Sequence, residues 1–218
     1  MLRCAEINSS FRNDHRVSTY GRWATSTPPG FRFSVKLPSR ITHERRLVDA
    51  GEALDEFFGA AGALGDRLGA LLVQLPGSLA FAPRLASTFF AVLRRRFAGP
   101  VVCEPRHPSW FSAPDVQRIL ERYRIGRVGA DPPRAPGGEH PGGWLGAGGI
   151  AYFRWHGAPR VYWSSYPTER IDRWALEVEA LASRHECWCV FDNTASGAAT
   201  GDALALVERL RQARSARE

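Results

Sequence analysis

An α/β fold, a TIM-like (β/α) barrel, is predicted by three observations. Short apolar runs rich in β-branched and aromatic residues recur along the whole chain, amphipathic stretches of helical period separate most of them, and each run ends in polar or charged groups. Strand and helix alternating at this spacing argue for parallel βαβ units. In a barrel of such units the chemistry gathers where each strand hands over to the following loop, so the strand ends are the place to look for function.

Seven strands are expected, at residues 2–7, 31–37, 70–75, 100–104, 126–130, 150–155 and 188–191. Between them, residues 48–58 continue at helical period to Leu68, and residues 83–97 set Leu85, Phe89, Val92 and Leu93 on one side. Residues 115–123 follow a Ser112-Ala113-Pro114-Asp115 start, in which Ser112 and Asp115 have the spacing of a capping box and Pro114 is tolerated in a first turn. Residues 168–182 and 203–210 complete the helical set, and 212–218 form a polar tail. One connection differs: residues 131–149 hold seven glycines and four prolines in nineteen positions, which cannot make a regular helix. A loop of that length in a compact domain is expected to cover the site or to be a disordered excursion. No linker or internal repeat divides the 218 residues, of which 44% are hydrophobic, so one domain is expected.

Alternate residues of a strand share a face. In Phe31-Arg32-Phe33-Ser34-Val35-Lys36 the apolar set Phe31, Phe33 and Val35 should meet the helices, which turns Ser34 and Lys36 into the lumen. The same parity aligns Cys4, Glu6 and Asn8; Leu72 and Gln74; Val102 and Glu104; Tyr152, Arg154 and His156; Val190 and Asp192. The upper lumen is then expected to hold Glu6, Lys36, Gln74, Glu104, Arg154, His156 and Asp192, with Asp131 at the rim: four negative charges against two positive, His neutral. Such a cluster can be a structural ion network, and it is also the arrangement that shifts pKa values for function. With carboxylates in excess, Lys36 is expected to stay charged and to bind an anionic group rather than act as a Schiff-base nucleophile.

Composition bounds the rest. Of 29 basic residues 28 are arginine, and Lys36 alone is lysine; a compact ammonium that can lose its proton is not interchangeable with a guanidinium. The net charge of +7 suggests polyanions, but the arginines are scattered. The run Arg94-Arg95-Arg96 reads as a solvated helix terminus or, alternatively, a polyanion site. No window approaches the ~20 apolar residues of a membrane span, and Glu6 stands where a signal peptide would be apolar, so a cytoplasmic protein without membrane partners is expected. Cys4, Cys103, Cys187 and Cys189 lack C-x-x-C spacing and should be reduced thiols. Glu6, Glu104, His107, Asp131, His156 and Asp192 show no diagnostic metal spacing, so neither a metal nor another cofactor is expected. The aromatics Trp110, Trp144, Trp155, Tyr162, Trp163 and Tyr166 follow the strand ends, either as core or as a platform for a sugar ring or base.

Several segments carry a family likeness. They are Glu6-Ile7-Asn8-Ser9-Ser10-Phe11, Phe31-Arg32-Phe33-Ser34-Val35-Lys36-Leu37-Pro38 with Ile41-Thr42-His43, Gln74-Leu75-Pro76, Glu104-Pro105-Arg106-His107-Pro108-Ser109-Trp110, Arg154-Trp155-His156-Gly157, Tyr162-Trp163-Ser164-Ser165-Tyr166 and Phe191-Asp192-Asn193-Thr194. In this order they resemble the YecE-like family, the domain of unknown function number 72, over nearly the whole chain. The resemblance implies a TIM-like barrel and no settled activity. Members of that family begin with a glycine-rich strand and a helix before the Glu-Ile-Asn segment, so a barrel lacking its first βα unit is expected, through a late start or a true opening between first and last strands.

The function expected from these residues is an enzyme binding an anionic or phosphorylated small molecule, a nucleotide or nucleic-acid end included. Lys36, Arg106 and Arg154 would hold the anion, and Glu6, Asn8, His43, Gln74, Trp110, Tyr166 and Asn193 would complete the binding surface. Glu104 or Asp192 would act as general acid or base, and His43, His107 or His156 would shuttle protons, with hydrolysis as the reaction class. Two alternatives stand beside it: a sugar isomerase or epimerase, and a non-enzymatic ligand- or nucleic-acid-binding protein. The oligomeric state is left open.

Overall fold

The computed structural model describes residues 1–215. Strand β1 (Cys4–Ile7) pairs in parallel with β2 (Arg32–Lys36), β2 with β3 (Leu68–Gln74), β3 with β4 (Val101–Glu104) and β4 with β5 (Ile125–Arg127). After Val128 the chain continues as β6 (Gly129–Asp131). A two-residue strand, β7 (Gly142–Gly143), adds antiparallel to β5. Strand β8 (Ile150–Trp155) pairs in parallel with β6 on one side and with β9 (Glu186–Phe191) on the other. The seven expected strands are all present, but the fifth is divided between two sheets. Val128, whose N–H still donates to Cys103 O at 2.9 Å, marks the switch from the β4 side to the β8 side. A parallel α/β arrangement is what forms. Strands β1 and β9 are outer strands with no backbone pairing between them among the described residues, so no closed sheet results.

The helices are α1 (Val17–Thr25), α2 (Gly51–Ala61), α3 (Pro83–Arg94), α4 (Ser109–Ser112), α5 (Asp115–Arg122), α6 (Thr168–Ala182) and α7 (Ala198–Ser215). Helix α1 is absent from the sequence expectation: β-branched Val17, Thr19 and Thr25 with Gly21 are weak helix formers, and burial of Tyr20 in the core holds it in place. The expected capping box at Ser112 does not form. Pro114 occupies the cap position of α5 without a side-chain bond, and Asp115 instead accepts from Arg118 at 2.7 Å. Helix α7 begins before its expected start and runs through 212–215, so the expected tail is helical where described; residues 216–218 lie outside the described residues.

Three apolar clusters follow from strand parity. Phe33, Val35, Leu71, Val73, Val101 and Cys103 face outward against α1 to α5, where Tyr20, Phe57, Phe89 and Ile119 meet them. Phe153, Trp155 and Phe191 pack on α6 and α7, with the Trp155 and Trp174 rings stacked at 4.1 Å. The inward residues Ala70, Leu72, Val102, Tyr152 and Trp188 form a third cluster between the two sheets, joined by Cys4 and Val190. This lower interior is apolar, and the charged groups lie above it.

The Gly/Pro-rich segment takes the place of a crossover helix. It connects the end of β6 to the start of the parallel strand β8, so it must travel the length of the sheet. Bonds pin it there: Ala130 N–H to Gly138 O at 2.8 Å, Arg127 Nη1 to Gly137 O at 3.1 Å and Trp144 N–H to Ile125 O at 2.8 Å. His140 pairs with Glu177 on α6 at 2.6 Å. The segment lies along β5 rather than across the strand ends.

Trp155 is fully buried between the sheet and α6. Replacing it with alanine is expected to cost about 3–5 kcal/mol, seen as a lower urea midpoint with an unchanged denaturant slope. A loss near zero would mean that the stacked pair does not anchor α6.

Candidate active site at the strand ends

Arg154 is the centre of the site. It points inward from β8, its side chain fully enclosed, and meets carboxylates from three other places: Glu6 on β1 at 2.7 Å, Asp192 after β9 at 2.8 Å, and Glu104 at the end of β4 in a very short contact. Strand alternation brings them together, because each is the inward residue at its strand's C-terminal end. Tyr152, one pleat below Arg154, donates its hydroxyl to Glu6 at 2.7 Å. Asn8 links Arg154 and Asp192, with both contacts at 3.4 Å. His156 Nδ1 lies 3.1 Å from Asp192 Oδ2, and its Nε2 lies 3.5 Å from Glu104 Oε1.

A second flank carries Lys36, His43, Gln74 and Arg106. Arg106 donates to Glu104 at 3.1 Å and reaches the Tyr162 hydroxyl at 3.4 Å. His43 belongs to a π-helical turn, Arg40–Glu44, of the kind that recurs at functional sites. Thr42 Oγ1 donates to Pro38 O, so it accepts from His43 Nδ1–H at 2.8 Å; Nε2 is left as an acceptor facing the Gln74 amide at 3.4 Å. Lys36 Nζ lies 4.2 Å from the Phe11 ring centroid, and the same ring meets His43 edge-on at 4.8 Å. Among the described residues Lys36 forms no ion pair.

Other candidates have partners of their own. Trp110 is buried, its indole N–H donating to Leu79 O at 2.9 Å, so no ring face is free for stacking. His107 Nδ1 accepts from the Ser109 N–H at 3.2 Å at the start of α4. Asn193 donates to Asp202 at 2.6 Å and to Ser164 O at 2.9 Å, and Tyr166 OH accepts from Gly157 N–H at 2.7 Å. These bonds shape the loop after His156. Gly157 has φ +92°, and a Cβ there would lie 2.7 Å from Ser164 O, so only glycine fits. That loop presents Tyr162, at φ +66°, against the His156 ring at 5.4 Å. Tyr162 was legible only as one of several aromatics beyond a strand end, and Phe11 only as part of a motif; neither had a signal for its role.

The charges set one another. Burial opposes the ionised form of Glu104, but Arg154 and His156 outweigh it and hold the carboxyl well below the usual range. Asp192 is likewise pushed up by burial and brought lower by its bond to His156 and by Arg154. For His156 burial favours the neutral ring, yet the bond to Asp192 and the nearby Glu104 carboxylate prevail and raise its pKa, although Nε2 finds no hydrogen-bond partner among the described residues. Lys36 keeps its ammonium form in excess at neutral pH, but by a narrow margin. Burial and then Arg154 bring its pKa from 10.5 down to about 8, against the weaker pull of Glu104 and Glu6. The carboxylates expected to hold its charge are bound by Arg154. Its neighbour His43 is moved down by burial and by the Lys36 and Arg106 charges.

The carboxylates converge on a guanidinium. Among the described residues no group of three or more His, Cys, Asp or Glu is arranged to hold a metal ion, and no helix is long and apolar enough to cross a membrane. The family described as "Protein of unknown function DUF72" matches residues 1–218. The chain belongs to the DUF72 family. The curated relative UPF0759 protein YecE of Escherichia coli strain K12 is 30% identical over 124 residues, 56% of this chain and 44% of YecE; the O157:H7 protein matches equally. The match thus spans less than half of those relatives' length. Among solved structures, the DUF72 family protein TM1631 of Thermotoga maritima MSB8 is 26% identical with a TM-score of 0.79, over 96% of this chain and 85% of that one. The DUF72 family protein EF0366 of Enterococcus faecalis V583, 22% identical, has the same TM-score over 96% and 90%, a likeness of fold.

Removing Arg154 from this DUF72 chain strands three buried carboxylates. Arg154→Met is expected to cost about 3–5 kcal/mol at neutral pH. In the native chain the lowered carboxyls of Glu104 and Asp192 contribute stability above the ordinary carboxylate range, and that contribution is lost as pH falls through their lowered values. The variant's deficit should therefore shrink once pH falls below about 4 in urea titrations, and a deficit that ignores pH there would contradict the network. His156 has the opposite sign. Its raised pKa stabilises fully below about 6.5, and the contribution is lost as pH rises through the folded value. His156→Gln should cost more stability at pH 6 than at pH 9; equal costs would mean that no proton is held there.

Proposed function

We propose that the strand-end site binds a small anionic, phosphorylated molecule and hydrolyses it, with His156 as proton donor. The charge balance carries this reading. Three carboxylates, Glu6, Glu104 and Asp192, face two guanidiniums, Arg154 and Arg106, and the His156 ring, whose pKa is raised, while Lys36 is a further cation without a carboxylate of its own among the described residues. A half-buried ammonium in a low-dielectric site favours an anion beside it. At neutral pH Glu104 and Asp192 are too acidic to carry a proton to a leaving group, which leaves that role to His156. The strand ends of both sheets meet in one surface, where Glu6 and Glu104 of one sheet and Asp192 beside the other reach Arg154.

A small ligand fits better than a polyanion. In the run Arg94-Arg95-Arg96, Arg94 donates to the carbonyls of Tyr123 and Gly99, both at 2.6 Å, and Arg96 forms a two-point pair with Asp55 at 2.6 and 2.7 Å. Two of the three arginines are engaged in holding the fold together.

Calorimetric titration with sulfate, whose charge is constant through the neutral range, tests the binding step. Sulfate should bind the intact chain, weaken as pH rises through about 8 while Lys36 loses its proton, and bind Lys36→Met about tenfold more weakly or worse. Equal binding by chain and variant, or no dependence on pH, would remove Lys36 from anion recognition.

A further inference from the structure

We propose that Lys36 is a covalent capture residue: its amine condenses with the carbonyl of a phosphorylated aldehyde or ketone, held as an imine over the Phe11 ring while Arg106 takes the phosphate. This rests on the anion-binding reading above and names the class of molecule bound.

Three features of the site support it. An imine-forming lysine must present a free lone pair, and Lys36 has no ion pair among the described residues to keep it protonated. The charged groups around it form one balance: Arg154 from β8, Arg106 after β4 and any charge on His43 disfavour the ammonium, while Glu104, Glu6 and Asp192 favour it, and those three carboxylates are already bound by Arg154. At neutral pH the ammonium form draws in the phosphate, and the free-amine fraction is large enough to react. Second, Nζ lies 4.2 Å from the centre of the Phe11 ring, so a planar imine there would lie against an apolar surface. Third, His43 flanks the same ring, and its Nε2 accepts only a long bond from the Gln74 amide at 3.4 Å, which the amine proton would displace.

The step balances without an oxidant or reductant. The Nζ lone pair attacks the carbonyl carbon, forming C–N while the C=O π pair moves to oxygen, which takes a proton. Nitrogen loses one proton to His43, giving a neutral carbinolamine. His43 passes that proton to the hydroxyl, the C–O bond breaks, and water leaves as the nitrogen lone pair forms C=N. The iminium releases its last N–H proton to solvent, replacing the one oxygen first took. Amine and carbonyl become imine and water, and hydrolysis reverses the sequence.

Composition makes the test unusually direct. With one lysine in 218 residues, a polypeptide of this sequence has two primary amines, Lys36 and its amino terminus, and α-amino groups as a class are less basic than ordinary lysines. The terminus is therefore an internal reference for reactivity that is due to low basicity alone. The full chain is treated with glyceraldehyde 3-phosphate and cyanoborohydride, which reduces any imine to a stable amine, and peptide mass mapping gives the rate at each amine. Lys36 should be modified about tenfold faster than the terminus or more. That advantage should fall with unphosphorylated glyceraldehyde, with inorganic phosphate as competitor, and in Arg106→Met. Equal rates at the two amines, or the same Lys36 rate with both aldehydes, would overturn the proposal. If sulfate still binds in a Lys36-dependent manner while no imine is trapped, covalent capture fails and anion binding stands; if neither occurs, both fail. Mapping on the unmutated chain keeps the result readable even where Arg106→Met does not fold.

Discussion

One buried guanidinium ties the two sheets together. Arg154 belongs to β8, yet its partners come from β1, β4 and the turn after β9, so strands far apart in the pairing order are joined through one side chain. Arginine suits this task because five N–H donors in a rigid fork can meet several carboxylates at once. The contact also sets register. Arg154 stands opposite Ala130 on one side and Val190 on the other, and a slip of one residue would turn it to the outer face. Enclosing an arginine with three carboxylates is then possible only in the observed pairing.

Such a cluster does not provide the stability of the fold. Buried ion groups close to break-even against apolar side chains of the same size, whereas the layer beneath, with Leu72, Val102, Tyr152 and Trp188, gains about 1.5–3 kcal/mol for each large side chain removed from water. Tyr152 joins the layers. Its ring stacks on Trp188 at 6.0 Å, and its hydroxyl serves Glu6. The apolar layer can therefore carry a charged layer that is costly in itself, and the charged layer can be arranged for binding.

Much of this was legible because strand parity is strict. Assigning Phe33 and Val35 to the helices forces Ser34 and Lys36 inward, and the same count places Glu6, Glu104, Arg154 and Asp192 at one level before any contact is known. What parity cannot supply is partnership. It puts four negative and two positive charges in one volume without saying that Arg154 takes three of the carboxylates and Lys36 none. It also cannot see Asp202, a helix residue that takes Asn193, Ser165 and the Tyr166 N–H and makes a loop scaffold of residues expected to touch a ligand. Helix α1 escaped notice for a related reason: local propensity is weak, and the burial of Tyr20 that compensates depends on distant parts of the chain.

Two cations, Arg154 and Lys36, occupy inward positions at the same end of the sheets, and their chemistry explains why they differ in type. At position 154 the charge must be permanent, because three carboxylates depend on it. At position 36 a permanent charge would be a third guanidinium beside Arg154 and Arg106, with no carboxylate left to balance it. A lysine can relieve that repulsion by giving up its proton as pH rises through about 8, where burial and Arg154 bring its pKa. In a chain where arginine fills 28 of 29 basic positions, the single lysine stands where a charge that can be switched off is the one the site tolerates.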